Sequence, residues 1–164
     1  MSKTEKNLRE AFAGESQANR KYLAFAKKAD AEGHAGVARL FRAAAAAETI
    51  HAHAHLKLLD GIKSTAENLK EAISGETHEF TSMYPAMIAD AVEEGNKKAE
   101  RGLGYANEVE KVHAALYEKA LAGLGSTEVV DYWVCPLCGY TCEVEPPDNC
   151  PVCNAKKDSF FKVD

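Results

Sequence analysis

The chain has 164 residues, with 20 Lys and Arg against 25 Asp and Glu, a formal net charge of −5 and 46% hydrophobic residues. That is the size of one domain or a domain with a small appendage. The acidic balance speaks against a general nucleic-acid binder, and no run of about 18 apolar residues offers a membrane span.

Residues 1–122 read as helix throughout, rich in Ala, Glu, Lys and Leu and free of proline before Pro85. The first residues, MSKTEKNLRE, lack the apolar stretch of a secretion signal, so the cytoplasm is the expected location. Ser2-x-x-Glu5 and Ser64-x-x-Glu67 have capping-box spacing. Gly33, Gly61, Gly95 and the Gly123–Gly125 stretch are candidate C-terminal caps. These signals predict helices over 4–32, 35–60, 65–94 and 96–122, each roughly 37–44 Å long, the size of a four-helix bundle. Pro85 is expected to kink the third, and Gly102 and Gly104 to weaken the start of the fourth.

The helical region repeats itself. NLREAFAGES at 7–16 returns as NLKEAISGET at 68–77, and Glu48-Thr-Ile-His51 returns as Glu110-Lys-Val-His113. Glu and His three apart leave a helix on one face. Glu15 and Glu76 occupy matching positions on the first and third helices. One Glu from each of two helices with Glu-x-x-His from each of the other two builds a carboxylate-bridged di-iron or di-manganese site. Two divalent cations neutralise four inward carboxylates that would otherwise repel one another. A single Glu-x-x-His carries little weight; two at the repeat spacing, with two matched glutamates, carry the assignment. Glu79 breaks the symmetry, since its repeat counterpart is Ala18. It is a seventh candidate ligand on one side only, and His51 is its natural competitor. Tyr22 and Tyr84 lie near the ligand faces, as hydrogen-bond donors to carboxylates or as packing residues. His53 and His78 are expected in solvent, and the Ala43–Ala47 run is expected to allow close helix packing.

Residues 123–131 read as a linker. From Tyr132 to Asp164 the helical period is gone, and about 33 residues are too few for a core alone. All five cysteines fall here. Cys135-Pro-Leu-Cys138 and Cys150-Pro-Val-Cys153 are two knuckles aimed at one tetrahedral ion, iron or zinc, in a minidomain of short strands. Tyr132, Trp133, Tyr140, Phe160 and Phe161 are expected to shield it, Asn154 to adopt a left-handed conformation, and Cys142 to be a partly buried bystander.

These motifs closely resemble the rubrerythrin family. The helical part does so through GESQANRKY, ETIH, GETHEFTSMYP and EKVH, and the tail through CPLCGY and CPVC, which look like rubredoxin. The resemblance implies a mainly α fold, with a ferritin-like four-helix bundle at 1–122, a linker at 123–131 and a rubredoxin-like metal-ribbon domain at 132–164. It implies a non-haem di-iron peroxidase that reduces hydrogen peroxide to water in oxidative-stress defence. Electrons would pass through the single iron held by Cys135, Cys138, Cys150 and Cys153, with zinc a possible substitute. Glu48 and Glu110 would bridge the two irons, Glu15 and Glu76 would be terminal ligands and His113 would ligate the second iron. Glu79 and His51 would exchange on the first. A rubredoxin or an NADH-dependent reductase would be the donor, because no Gly-x-Gly-x-x-Gly fingerprint binds that cofactor here. Ferroxidase or iron-storage activity is the alternative, and a zinc-ribbon interaction protein a third.

Assembly is a further expectation. In ferritin-like bundles the second and third helices run parallel, yet the connector near Gly61–Ser64 reaches only about 18 Å. Either the topology is simple up-down-up-down, or helices one and two of one chain pair with three and four of another in a domain-swapped homodimer or higher oligomer.

Overall fold

The computed structural model describes residues 1–126 and 129–163, so Thr127 and Glu128 of the expected linker and the C-terminal Asp164 lie outside the described residues. The chain forms two compact units, Met1–Lys63 and Ser64–Asp164.

The first unit is a hairpin of α1 (Lys3–Ala31) and α2 (Ala35–Leu58). Ser2 caps α1 by accepting from the Glu5 amide, which leaves one fewer orphan N–H in the first turn. Gly33 closes α1 in the left-handed region, at φ 82°. At the end of α2 that conformation falls to Asp60 (φ 52°) rather than to Gly61. Gly61 serves differently: a Cβ there would lie 2.3 Å from Leu56 Cδ1. The seam between the helices is built of alanines. Ala26, Ala29, Ala38, Ala45 and Ala52 are all buried, and small side chains let two backbones approach. Asn19 then reaches across from α1, donating to the Ala45 carbonyl at 2.7 Å and to Thr49 Oγ1 at 2.8 Å.

The second unit begins with α3 (Thr65–His78), whose Ser64 and Glu67 form a complete capping box. A π turn, Glu79–Met83, follows, and then α4 (Tyr84–Glu93) and α5 (Lys97–Ala122). The expected single helix over 65–94 is therefore interrupted, and the interruption sits immediately before Pro85. Pro85 has no amide N–H to continue the ladder, and it stands at the start of α4, two residues past the end of the π turn. Gly102 and Gly104 lie within regular helix in α5.

The tail is a three-stranded antiparallel sheet of β1 (Tyr132–Val134), β2 (Thr141–Glu143) and β3 (Phe161–Val163), in the order β2-β1-β3. Its core is Cys135, Cys150 and Phe160, with Trp133, Tyr140 and Val152 against it. Phe160 meets Tyr140 edge to face. The expected aromatic shell is smaller than the sequence suggests: Phe161 is 51% exposed, and Tyr132 is not part of this cluster.

Candidate metal centres

Each unit brings three donors together in the same way. On the hairpin, one ligand atom from each of Glu15, Glu48 and His51 lies within 4.8 Å of the others. His51 Nδ1 is 2.9 Å from Glu48 Oε2. In the second unit Glu76, Glu110 and His113 form the matching group, with His113 Nδ1 2.8 Å from Glu110 Oε2 and 3.8 Å from Glu76 Oε1. The i, i+3 spacing on α2 and α5 produces both pairs, and the neighbouring helix of each unit adds the third carboxylate.

The two groups differ in exposure. His113 has 27% of its side chain exposed and His51 has 56%. The second group is also the more strained electrostatically. Burial, a hydrogen bond to Glu110 and the charge of Glu110 raise the pKa of Glu76 to about 7 from its usual 4.5, and Glu79 adds to the effect. Carboxylates held this close need either a shared proton or a cation.

Glu79 is not one of the three clustered donors, but its charge reaches both Glu76 and Tyr84. Burial, followed by the charges of Glu110, Glu79 and Glu76, makes the Tyr84 phenol harder to ionise, so it stays a neutral O–H beside these carboxylates. Tyr22 packs its ring with Phe25 and Phe41. His53 and His78 are exposed.

The π turn accounts for the asymmetry around Glu79. Between Gly14-Glu15-Ser16 and Tyr22 lie five residues; between Gly75-Glu76-Thr77 and Tyr84 lie six. The surplus residue is absorbed where α3 widens into the π turn, and Glu79 is the first residue of that turn. Single π turns recur at functional sites for this reason: one inserted residue re-aims a side chain without breaking the rod. The difference in length between the two repeats was the signal available in the sequence.

The cysteine knuckles converge as expected. Cys135 Sγ is 3.5 Å from Cys153 Sγ, and Cys138 Sγ is 3.5 Å from Cys150 Sγ. A tetrahedral ion with bonds of about 2.3 Å to sulfur places its ligands about 3.8 Å apart, so the set fits. The knuckles are built alike. The Gly139 and Asn154 amides return to the carbonyls of Cys135 and Cys150, each at 2.9 Å, and both residues are left-handed, at φ 88° and 64°. Burial pushes the Cys138 and Cys153 thiols up. Burial opposes ionisation at Cys135 too, but donation from the Cys138 and Leu137 amides outweighs it and pulls that thiol down. Four thiolates in this space require a cation. Cys142 stands apart, half-buried, with its sulfur 3.6 Å from the Glu145 carbonyl.

Two residues that the motifs did not single out belong to the second unit's helix and ribbon. Thr141, at the start of β2, lies 3.1 Å from His113 Nε2, and the Oδ1 atom of Asn107 on α5 is buried without a hydrogen-bond partner among the described residues. Neither carries a sequence signal, because Thr is ordinary in a strand and Asn in a polar helix.

A carboxylate–histidine donor set on helices, joined to a two-knuckle cysteine ribbon, defines a ferritin-like di-iron protein with a rubredoxin-like module. Comparison with known proteins agrees. The family profile described as Rubrerythrin matches residues 6–121, and that of the rubrerythrin rubredoxin-like domain matches 133–161. Rubrerythrin-2 of Clostridium acetobutylicum is 35% identical over 93% of this chain and 92% of its own. Nigerythrin of Nitratidesulfovibrio vulgaris is 38% identical over 96% and 85%. A structure of nigerythrin in a mixed-valence state aligns at a TM-score of 0.60, with 38% identity, over 99% of this chain and 88% of that one.

The chain belongs to the rubrerythrin family. The fold is mainly α, with a rubredoxin-like ribbon at its C-terminal end. The donor sets suit the cofactors of that family, two irons in a carboxylate-bridged site and one iron in a four-cysteine site. The chain is an oxidoreductase of a family that acts in peroxide-related defence against oxidative stress. Peroxide and rubredoxin-type electron donors are the general partners of that family. Among the described residues, no helix is long and apolar enough to cross a membrane.

Proposed function

We propose that this chain is a cytoplasmic peroxidase that reduces hydrogen peroxide to water, drawing electrons from NADH through a separate reductase or a rubredoxin. The observation that carries this reading is the pairing of two equivalent Glu/Glu/His groups with a four-cysteine group in one chain. The functional division is a di-iron domain over 1–122, a linker over 123–131 and an electron-entry domain over 132–164. Glu15, Glu48, Glu76 and Glu110 would supply the carboxylates that hold the two irons, Glu48 and Glu110 being the pair shared between them. His113 is the fixed imidazole.

When bound, the two irons supply two electrons and a Lewis-acidic seat for cleavage of an O–O bond. The residues do the rest. The carboxylates hold the seat at low net charge, and Tyr84 keeps a neutral O–H beside them for hydrogen bonding. Glu79 and His51 would be the two groups that compete to complete the donor set on the first iron. The greater exposure of His51 supports this, as does the start of the π turn at Glu79. The cysteine ribbon meets the same unit at His113 through Thr141, which favours electron supply over iron storage.

The complete seven-ligand site uses a second copy of the chain. Each unit by itself carries one Glu/Glu/His group. The connector from Leu59 to Ser64 reaches at most about 22 Å, against about 36 Å for the length of α2. Exposed Leu23, Phe25, Leu40, Ile50 and Leu58 on the hairpin are apolar surface suited to pairing with that copy. Anaerobic mixing of the reduced protein with peroxide tests the activity directly.

A further inference from the structure

His113 is held from both ends. Its Nδ1 faces Glu110 and Glu76, where a metal would sit, and its Nε2 lies 3.1 Å from Thr141 Oγ1. The same hydroxyl lies 3.1 Å from the carbonyl of Gly139, to which it donates. Thr141 has one proton to give and gives it to Gly139, so toward His113 it is an acceptor. The imidazole therefore carries its proton on Nε2 and leaves the Nδ1 lone pair for the metal. Gly139 follows Cys138 directly in the knuckle. The line His113 Nε2–H, Thr141 O–H, Gly139 C=O thus joins the two metal groups within one chain by two hydrogen bonds.

The surroundings hold this line in place. Two residues along β2 from Thr141, Glu143 pairs with Lys119 of α5. A Cβ at Gly139 would touch Val109 of α5 at 3.8 Å. Beside the contact lies a cavity of about 340 Å³ lined in part by His113, Tyr117, Tyr132 and Thr141. Without the Thr141 hydroxyl, water from that cavity would take over the Nε2 proton.

We propose that Thr141 is the positioning residue of His113: its hydroxyl fixes the ring's tautomer and angle, and it provides the in-chain link between the four-cysteine group and the carboxylate site. This rests on the proposed function, in which His113 is a ligand and the thiolate-bound iron the electron donor. A ligating histidine takes its orientation from the acceptor on its other nitrogen, and loss of such an acceptor commonly costs about 10-fold to 100-fold.

Thr141→Val and Thr141→Ser test it on the full chain, with two readouts. In zinc-loaded protein, ¹⁵N–¹H spectra report the His113 Nε2–H. It should be slow to exchange with solvent in the wild type and in Thr141→Ser, and lost to exchange in Thr141→Val. In iron-loaded protein the absorption of the thiolate-bound iron after peroxide mixing reports electron delivery. It should slow about 10-fold or more in Thr141→Val, recover in Thr141→Ser, and do so with an unchanged thiolate–iron spectrum. A protected Nε2–H in Thr141→Val, or electron delivery within about twofold of the wild type, overturns the proposal. If the wild-type iron protein ignores peroxide, the proposed function fails, and the zinc spectra still decide the role of Thr141 as positioner of the ring.

Discussion

The carboxyl of Glu76 is hydrogen-bonded to that of Glu110, and burial together with this neighbour holds its proton to about pH 7. Because the folded-state value lies above the usual 4.5, the protonated form is the one that folding favours. The associated stability is complete below about pH 4.5 and is lost as pH rises through about 7. The metal-free protein should therefore be less stable at pH 7.5 than at pH 5, by on the order of 2 kcal/mol, and should melt at a lower temperature there. Loading with divalent metal should reverse the sign, because the cations then balance the ionised carboxylates. Thermal melts of chelated and reloaded protein at the two pH values check this; a chelated protein more stable at the higher pH contradicts it.

Glu79 stands at the first position of the π turn and is assigned here as an exchanging ligand. Glu79→Ala should keep the thiolate–iron spectrum and the iron content while peroxide turnover falls about tenfold. Turnover equal to wild type would remove Glu79 from the site and leave the π turn without a role.

The cysteines divide four to one. Cys138→Ser should abolish the red colour of the ferric thiolate centre. Cys142→Ser should leave it intact, since the Cys142 sulfur rests near the Glu145 carbonyl rather than among the knuckles. Visible spectra of the two purified variants decide it. Loss of colour in Cys142→Ser would break the assignment.

Assembly through exchanged hairpins has a signature that complementation reveals. Glu48→Ala disables one half-site and Glu110→Ala the other. In a swapped dimer of the two variants, one site collects both damaged halves and the other collects both intact ones. Co-expression should then restore about a quarter of the wild-type di-iron content, since half the dimers are mixed and each holds one intact site. If every site is built from a single chain, no content returns.

Much of this was written in local spacing. Glu-x-x-His on a helix and C-x-x-C on a turn place their donors within a few residues, so the pattern alone delivers geometry such as the 2.8 Å contact of His113 with Glu110. The helix ends followed from Ser64 and Gly33 for the same reason. What escaped depended on register or on distant partners. The π turn needed the two repeats to be compared for length, not only for residue type. Asp60 replaced Gly61 as the left-handed residue because Gly61 was needed where a Cβ would strike Leu56. Phe161 fell outside the aromatic shell because, next to buried Phe160 on an extended segment, it points to the opposite face. The contact of Thr141 with His113 spans 28 residues, and no local pattern encodes it.

On the proposed function, the paired Glu/Glu/His groups act on peroxide. Stopped-flow mixing of the fully reduced, iron-loaded protein with hydrogen peroxide or with dioxygen, at equal concentrations and without an external reductant, tests it most directly. Oxidation by peroxide should be much the faster, followed by oxidation of the thiolate-bound iron. Equal rates, or faster oxidation by dioxygen, would contradict peroxide reduction and return the chain to iron oxidation and storage.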